Sequence, residues 1–375
     1  MKKFLYIVLL FVLFLVGILS SCNGESANKS TDEIIVTPTL TPNPIIDEIS
    51  MSPVAFVFLE NEQYTYNSLY HQLAYIRMEG LGYNISNMYV KGTDDIQSVL
   101  SQLEVNGTEY VVITSNMLNE QAKAYQDTNN SNMVFIQHGD YYMDSILSYQ
   151  VKLYEYYYLA GVALCSESIT KVAGFIADSP DEQTIRCINA FALGMKSVDS
   201  DAVVIVNWTT TTDDENIVSQ MIDNLSNQKC DVFSYFMPGD LVDKVCGKMG
   251  LNYMSMSTHT VINSDAKMSI KPVINLDSFY ASIINADKSS LVNEFNYLGV
   301  KSKIVSYEIS TSVTDDTNNA VESSYNNLLE DYDVFSGPIY NELGLVIPEG
   351  TTLPEEDILH MLWFVDNVVG ELPAG

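Results

Sequence analysis

The chain has 375 residues, and its composition, 47% apolar with 24 tyrosines, is that of a globular body rather than a disordered one. Acidic residues number 48 against 18 basic ones, a formal charge of −30. An excess of that size repels phosphate backbones and anionic lipid head groups, and it argues against nucleic acid as a partner.

In chain order the first element is a leader. Lys2 and Lys3 precede an apolar run from Phe4 to Leu19, which closes in Leu19-Ser20-Ser21-Cys22. A basic start, a short apolar core and small residues before a cut predict a secretory signal peptide over 1–21. A membrane span needs about 20 apolar residues, and this run is shorter. Its last four residues resemble a bacterial lipobox, which implies lipidation of Cys22 and anchoring at the extracytoplasmic face of the cell membrane. Residues 22–52 are rich in Ser, Thr, Asn and Pro, with Pro38, Pro42 and Pro44 close together. Such a stretch cannot bury enough apolar surface to offset its ordering entropy, so an extended flexible linker is expected.

The body then alternates. Val54 to Leu59 is a continuous apolar run, as in a strand covered on both faces. Tyr64 to Gly80 has helical spacing, with Leu69, Leu73 and Ile76 on one face. Strand-like Tyr83–Val90, helical Asp95–Leu103, strand Tyr110–Thr114, helix Asn119–Asp127 and strand Met133–Ile136 follow, and then a Tyr-rich helix from Lys152 to Ser168. A second series runs through strand Val172–Ile176, helix Asp181–Val198, strand Ala202–Val206, helix Asp214–Asn227, strand Asp231–Phe236, helix Asp240–Met249 and strand Asn252–Met256. Strands alternating with helices predict an α/β fold: two doubly wound parallel-sheet lobes. The expected lobes are 53–168 with about 271–300, and 169–270 with about 301–375. Ligands of such sheets bind beyond the carboxyl ends of the strands, in a cleft that closes by hinge motion. The loops expected there are Glu60–Thr65, Thr114–Leu118, Gln137–Tyr142, Ala177–Asp181, Asn207–Glu215, Phe236–Asp240 and Ser255–Thr260.

Several stretches resemble the basic membrane protein family of substrate-binding lipoproteins, among them purine nucleoside receptors of ABC importers. They are Tyr158 to Ala163, Lys171 to Phe175, Ile185 to Gly194, Val334 to Ile339, Val346 to Gly350, and Trp363 to Gly370. The resemblance runs from about Pro53 to Pro373. It implies a type I periplasmic-binding-protein fold and delivery of a small molecule, a purine nucleoside or related compound, to an ABC permease. In the family, the loop after the first strand carries a Gly/Asp-rich turn and an aromatic that stacks on the base. Here that loop reads Glu60-Asn61-Glu62-Gln63-Tyr64. Tyr64 is placed either to stack on a planar base or to pack at the start of the helix. Asn61, Tyr66 and Asn67 are candidate polar contacts beside it. Where nucleoside receptors place a ribose-binding aspartate, Ser257 and His259 stand instead, and Thr209 to Thr212 replace a second aromatic. These departures keep open an alternative: a regulatory or sensor surface lipoprotein with an altered or lost ligand site.

Nothing points to catalysis. Of four histidines, only His138-Gly139-Asp140 forms a compact acid–base candidate, and a turn at a strand end is expected of it. No nucleophile elbow, zinc pair or phosphate loop occurs, so neither cofactor nor metal is expected. Cys165, Cys187, Cys230 and Cys246 lack metal-ligand spacing and read as buried thiols, with any pairing left open.

Overall fold

The computed structural model describes residues 50–60, 66–139, 142–257, 267–291 and 295–373. All of them belong to one compact unit. The first half is built on β1 (Val54–Leu59), α1 (Tyr66–Leu81), β2 (Ile85–Val90), α2 (Ile96–Val105), β3 (Tyr110–Ile113), α3 (Asn119–Asn129), β4 (Val134–His138) and β5 (Leu147–Val151). The second is built on α4 (Leu153–Glu167), β6 (Val172–Ala177), α5 (Glu182–Val198), β7 (Val203–Trp208), α6 (Glu215–Asn227), β8 (Val232–Phe236), α7 (Leu241–Met249), β9 (Asn252–Met254) and β10 (Met268–Ile274). The chain then passes through α8 (Leu276–Ile284), β11 (Phe295–Leu298), β12 (Val305–Ile309) and α9 (Asp315–Glu330). It closes with the hairpin β13 (Ile339–Asn341) and β14 (Gly344–Ile347), the short α10 (Glu355–Leu359) and β15 (Val368–Val369).

Two large sheets result. The first has the order β11-β5-β4-β3-β1-β2, the second β12-β10-β9-β8-β6-β7-β15. Every neighbouring pair in them is parallel except β10 with β12. The apolar run of β1 is buried on both faces for the expected reason. Phe56 meets Tyr75 of α1 and Tyr280 of α8 edge-on. Ala55, Val57 and Leu59 share a core with Leu100 of α2 and Ala122 of α3. Helix starts are capped as the sequence suggests. Asp181 accepts from Thr184 N at 2.8 Å, Asp214 from Asn216 N at 2.9 Å, and Thr314 from Thr317 N at 3.1 Å.

The sheets exchange chain at three places: β5 to α4, β10 to α8, and β11 to β12. This differs from the expected division on two counts. Helix α4, assigned above to the first lobe, packs on α5 and α9 and against strands of the second sheet. The reason is its sequence: it is apolar almost all round, buried from Leu153 to Cys165, and only a site enclosed by other elements suits such a helix. Likewise β10, from Met268, pairs in the second sheet rather than contributing residues 271–274 to the first. The close α4–α5 contact depends on Gly161 and Gly194. A Cβ on Gly161 would stand 2.1 Å from the Phe191 carbonyl oxygen, and one on Gly194 would stand 2.1 Å from that of Tyr158.

The crossings are fastened together. Lys152 N donates to Leu298 O at 2.8 Å and Asn275 N to Ile304 O at 2.9 Å. The buried Glu155 carboxylate accepts from Val300 N at 2.5 Å. Arg77 reaches from α1 to Asn275 Oδ1 and Asp277 Oδ1, both at 3.2 Å. Lys152 pairs with Glu355 of α10. No helix among the described residues is long and apolar enough to cross a membrane.

Candidate functional site

In the first sheet β1, β3 and β4 end at Leu59, Ile113 and His138, and in the second β6, β8 and β9 end at Ala177, Phe236 and Met254. Helices that leave these ends carry the side chains of interest. In α1, Tyr70 and His71 lie one turn into the helix, buried at 3% and 1% exposure. His71 Nε2 meets the Tyr149 hydroxyl at 2.6 Å, which in turn meets the Tyr280 hydroxyl at 2.5 Å. The His71 and His138 rings cross edge-to-face at 5.9 Å. The chain of ring groups therefore runs from α1 through β5 to α8, beneath the end of β4.

Both sheets contribute to this neighbourhood. Burial, and then the Arg186 guanidinium of α5, hold His138 down to about 4, with a Gln150 hydrogen bond opposing them. Burial, and then Cys187 of α5, push the Tyr70 phenol upward. The α1 and β4 groups of one sheet are thus within electrostatic reach of the first turns of α5 on the other. At neutral pH His138 is uncharged and the phenols of Tyr70, Tyr149 and Tyr280 are protonated. These four groups are neutral hydrogen-bonding groups, with the Arg186 guanidinium nearby.

Some of those groups have nothing to bond. The Tyr70 hydroxyl, Asn119 Oδ1, Gln137 Oε1 and Thr184 Oγ1 are buried without a hydrogen-bond partner, an uncommon and costly state. Asn119 is fixed in orientation, since its Nδ2 donates to His138 O at 2.8 Å. Gln137 donates through Nε2 to Ser148 Oγ at 2.9 Å.

On the second sheet the polar groups around the chain leaving β9 are bonded to one another. Asp243 of α7 accepts from the Tyr235 hydroxyl at 2.7 Å and from Ser255 Oγ at 2.5 Å. Met256 N donates to the Tyr235 hydroxyl at 3.1 Å, and Ser257 N to Ser255 Oγ at 3.0 Å. Asp243 thus holds the chain leaving β9. Trp208, half-buried at the end of β7, donates through Nε1 to Glu371 O at 2.8 Å.

Of the residues singled out by sequence, Ser257 is half-buried at the end of this network. Cys22, Asn61, Tyr64 and His259 lie outside the described residues, and Tyr66 and Asn67 are described as helical backbone at the start of α1. Asp140 also lies outside them, while His138 is the last residue of β4 rather than part of a surface turn. Tyr70, Asn119 and Thr184 look in sequence like ordinary helix residues, while Gln137, expected to open a cleft loop, lies within β4. Among the described residues no group of three or more His, Cys, Asp or Glu could hold a metal ion. The four cysteines Cys165, Cys187, Cys230 and Cys246 are buried free thiols.

Comparison with known proteins places this arrangement. A purine-binding protein of Brucella abortus (strain 2308) is 22% identical over 233 residues, 61% of this chain and 67% of that protein. A solute-binding protein of an ABC transporter system from Conexibacter woesei superposes with a TM-score of 0.63 at 14% identity, covering 74% of this chain and 96% of that one. A transcriptional activator of the comK gene from Bacillus halodurans superposes with a TM-score of 0.60 at 16% identity, covering 74% and 98%. At such identities the structural likenesses establish the fold, that of type I periplasmic binding proteins. The model of a family of solute-binding proteins, rather than enzymes, matches residues 64–330, well over half of the chain. The chain belongs to the ABC transporter substrate-binding protein PnrA-like family.

Proposed function

We propose that the protein is a lipid-anchored extracytoplasmic receptor that captures a small neutral solute and hands it to an ABC permease. Membership of the family carries this reading. A purine nucleoside or related planar compound is the proposed ligand, supported by the similarity to a purine-binding protein and by the neutral hydrogen-bonding groups of Tyr70, His138, Tyr149 and Tyr280. Cys22 is the proposed lipid attachment and residues 22–52 the linker. The proposed lobes follow the sheets, with borders at the three crossings, and closure around ligand produces the form the permease recognises. Tyr64 is the proposed stacking residue, with Asn61, Tyr66, Asn67, Ser257 and His259 as weaker polar contacts.

The second reading, a regulatory or sensor lipoprotein without a working site, is favoured by the Ser257 region. Its serine replaces a carboxylate, and the nearby Asp243 is engaged with Tyr235 and Ser255. A thermal-shift screen of the purified protein against adenosine, guanosine, inosine, free bases and simple sugars separates the two. A ligand at about a hundred times its dissociation constant stabilises by about 2.7 kcal/mol. A clear shift with a nucleoside supports the receptor reading, a shift with another solute keeps the receptor and changes the ligand, and no shift at all favours regulation.

A further inference from the structure

Tyr70 combines three properties rarely found together. Its side chain is 3% exposed, its hydroxyl has no hydrogen-bond partner within the protein, and it stands near the carboxyl end of β1, the end of an open α/β sheet where ligands bind. It lies one turn into the helix leaving the β1 carboxyl end, within electrostatic reach of Cys187 in the second turn of α5, which leaves the β6 carboxyl end of the other sheet. On the same face of α1, two turns on, Arg77 bonds to the β10–α8 crossing, so this side of the helix is turned to the junction of the two sheets. A phenol needed only for packing would be as well served by phenylalanine. A hydroxyl buried without a partner in the protein costs stability, and proteins keep such groups where a bound molecule will satisfy them.

We propose that Tyr70 is a ligand-contacting, specificity-determining residue whose hydroxyl bonds a polar group of the bound solute at the junction of the two sheets. This rests on the receptor reading above, and adds to it a residue that favours solutes with a hydrogen-bonding group over apolar isosteres. The bound solute would complete a hydrogen bond that the unliganded protein lacks.

Two measurements test it on the full-length protein. The first maps tetranitromethane modification by mass spectrometry of peptides. If Tyr70 lines a junction that opens, it is nitrated, whereas Tyr156 and Tyr157, which are wholly buried with their hydroxyls bonded to backbone carbonyls, are not. Tyr70 as inert as Tyr156 overturns the proposal whatever the ligand. The second compares Tyr70→Phe with wild type, using adenosine, guanosine and inosine as probes. The unliganded variant is expected to melt at or above the wild-type temperature, with affinity for any probe that binds weakened about fivefold. A lower melting temperature, or unchanged affinity for a bound probe, overturns it. Nitration of Tyr70 and a stable variant, with no probe binding, support the Tyr70 assignment and reject the nucleoside as ligand.

Discussion

Two buried ionisable residues give the protein opposing responses to acid. His138 is held at about 4, by burial first and Arg186 second, so it stays neutral in the fold while the unfolded chain protonates near pH 6.5. Stability from this group is present above pH 6.5 and is lost as pH falls toward 4, by about 3 kcal/mol in all. Glu155 is pushed up to about 7, by burial first, with the Val300 N–H and Lys152 opposing. Its contribution is fully present below about pH 4.5 and is lost as pH rises through 7, again by about 3 kcal/mol. Between about pH 4.5 and 6.5 the two slopes cancel. We therefore expect Glu155→Gln, which keeps an acceptor for Val300 N, to lose stability more steeply than wild type on acidification from pH 6.5 to 4.5. Urea titrations at a series of pH values check this; parallel curves for the two proteins would show that Glu155 ionises freely in the fold. The complementary change, His138→Gln, leaves the Glu155 slope unopposed and is expected to gain stability on acidification from pH 6.5 to 4.5.

At the scale of elements, several family-like motifs hold helices and strands together. Gly161 and Gly194 let α4 and α5 touch backbone to backbone. Asn189 donates to Trp363 O at 2.7 Å and accepts from Val365 N at 3.0 Å, tying the C-terminal segment to α5. Gly161→Ala or Gly194→Ala must move a helix backbone, not a pliable side chain, so each is expected to cost about 3 kcal/mol, the upper end for overpacking. The urea midpoint measures it; a loss below about 1 kcal/mol would mean that the pair of helices separates cheaply. The same scale explains what could be read from the sequence. Runs such as Val54–Leu59 are apolar because helices cover both faces, and that leaves a clear trace. Strand β5, Leu-Ser-Tyr-Gln-Val, reads instead as half-exposed, yet all five residues are buried. Its Ser148 is paired with Gln137, and its Tyr149 with His71 and Tyr280. Polar residues satisfied by partners distant in sequence leave no local pattern. The first crossing was misplaced for a related reason: an all-round apolar helix such as α4 says that it is enclosed, not by which sheet. Tyr70 illustrates the limit for the site, because a missing partner is a property of the folded arrangement alone.

For the whole molecule, the balance of charge decides how salt acts. Acidic residues outnumber basic ones by 48 to 18, so the folded protein compresses a large uncompensated negative charge. The ion pairs that salt weakens most are those at the surface: Lys244–Asp240, Lys248–Glu215, Lys288–Glu109 and Lys301–Asp331 have both side chains exposed, and such pairs contribute about 0–1 kcal/mol each. Lys271–Glu308, whose lysine is buried, is screened less. Relief of repulsion among the excess carboxylates acts over the whole surface and opposes these losses. Raising sodium chloride from about 0.01 M to about 1 M shortens the Debye length from about 30 Å to about 3 Å, enough to isolate most surface charges from one another. The melting temperature of the unliganded protein is therefore expected to rise with salt, most steeply at the low end where long-range repulsion is being removed. A fall over the same range would mean that the lysine pairs outweigh the repulsion. A flat response in the presence of a neutral ligand, beside a rising one without it, would show that the liganded form is limited by closure of the two sheets rather than by surface charge.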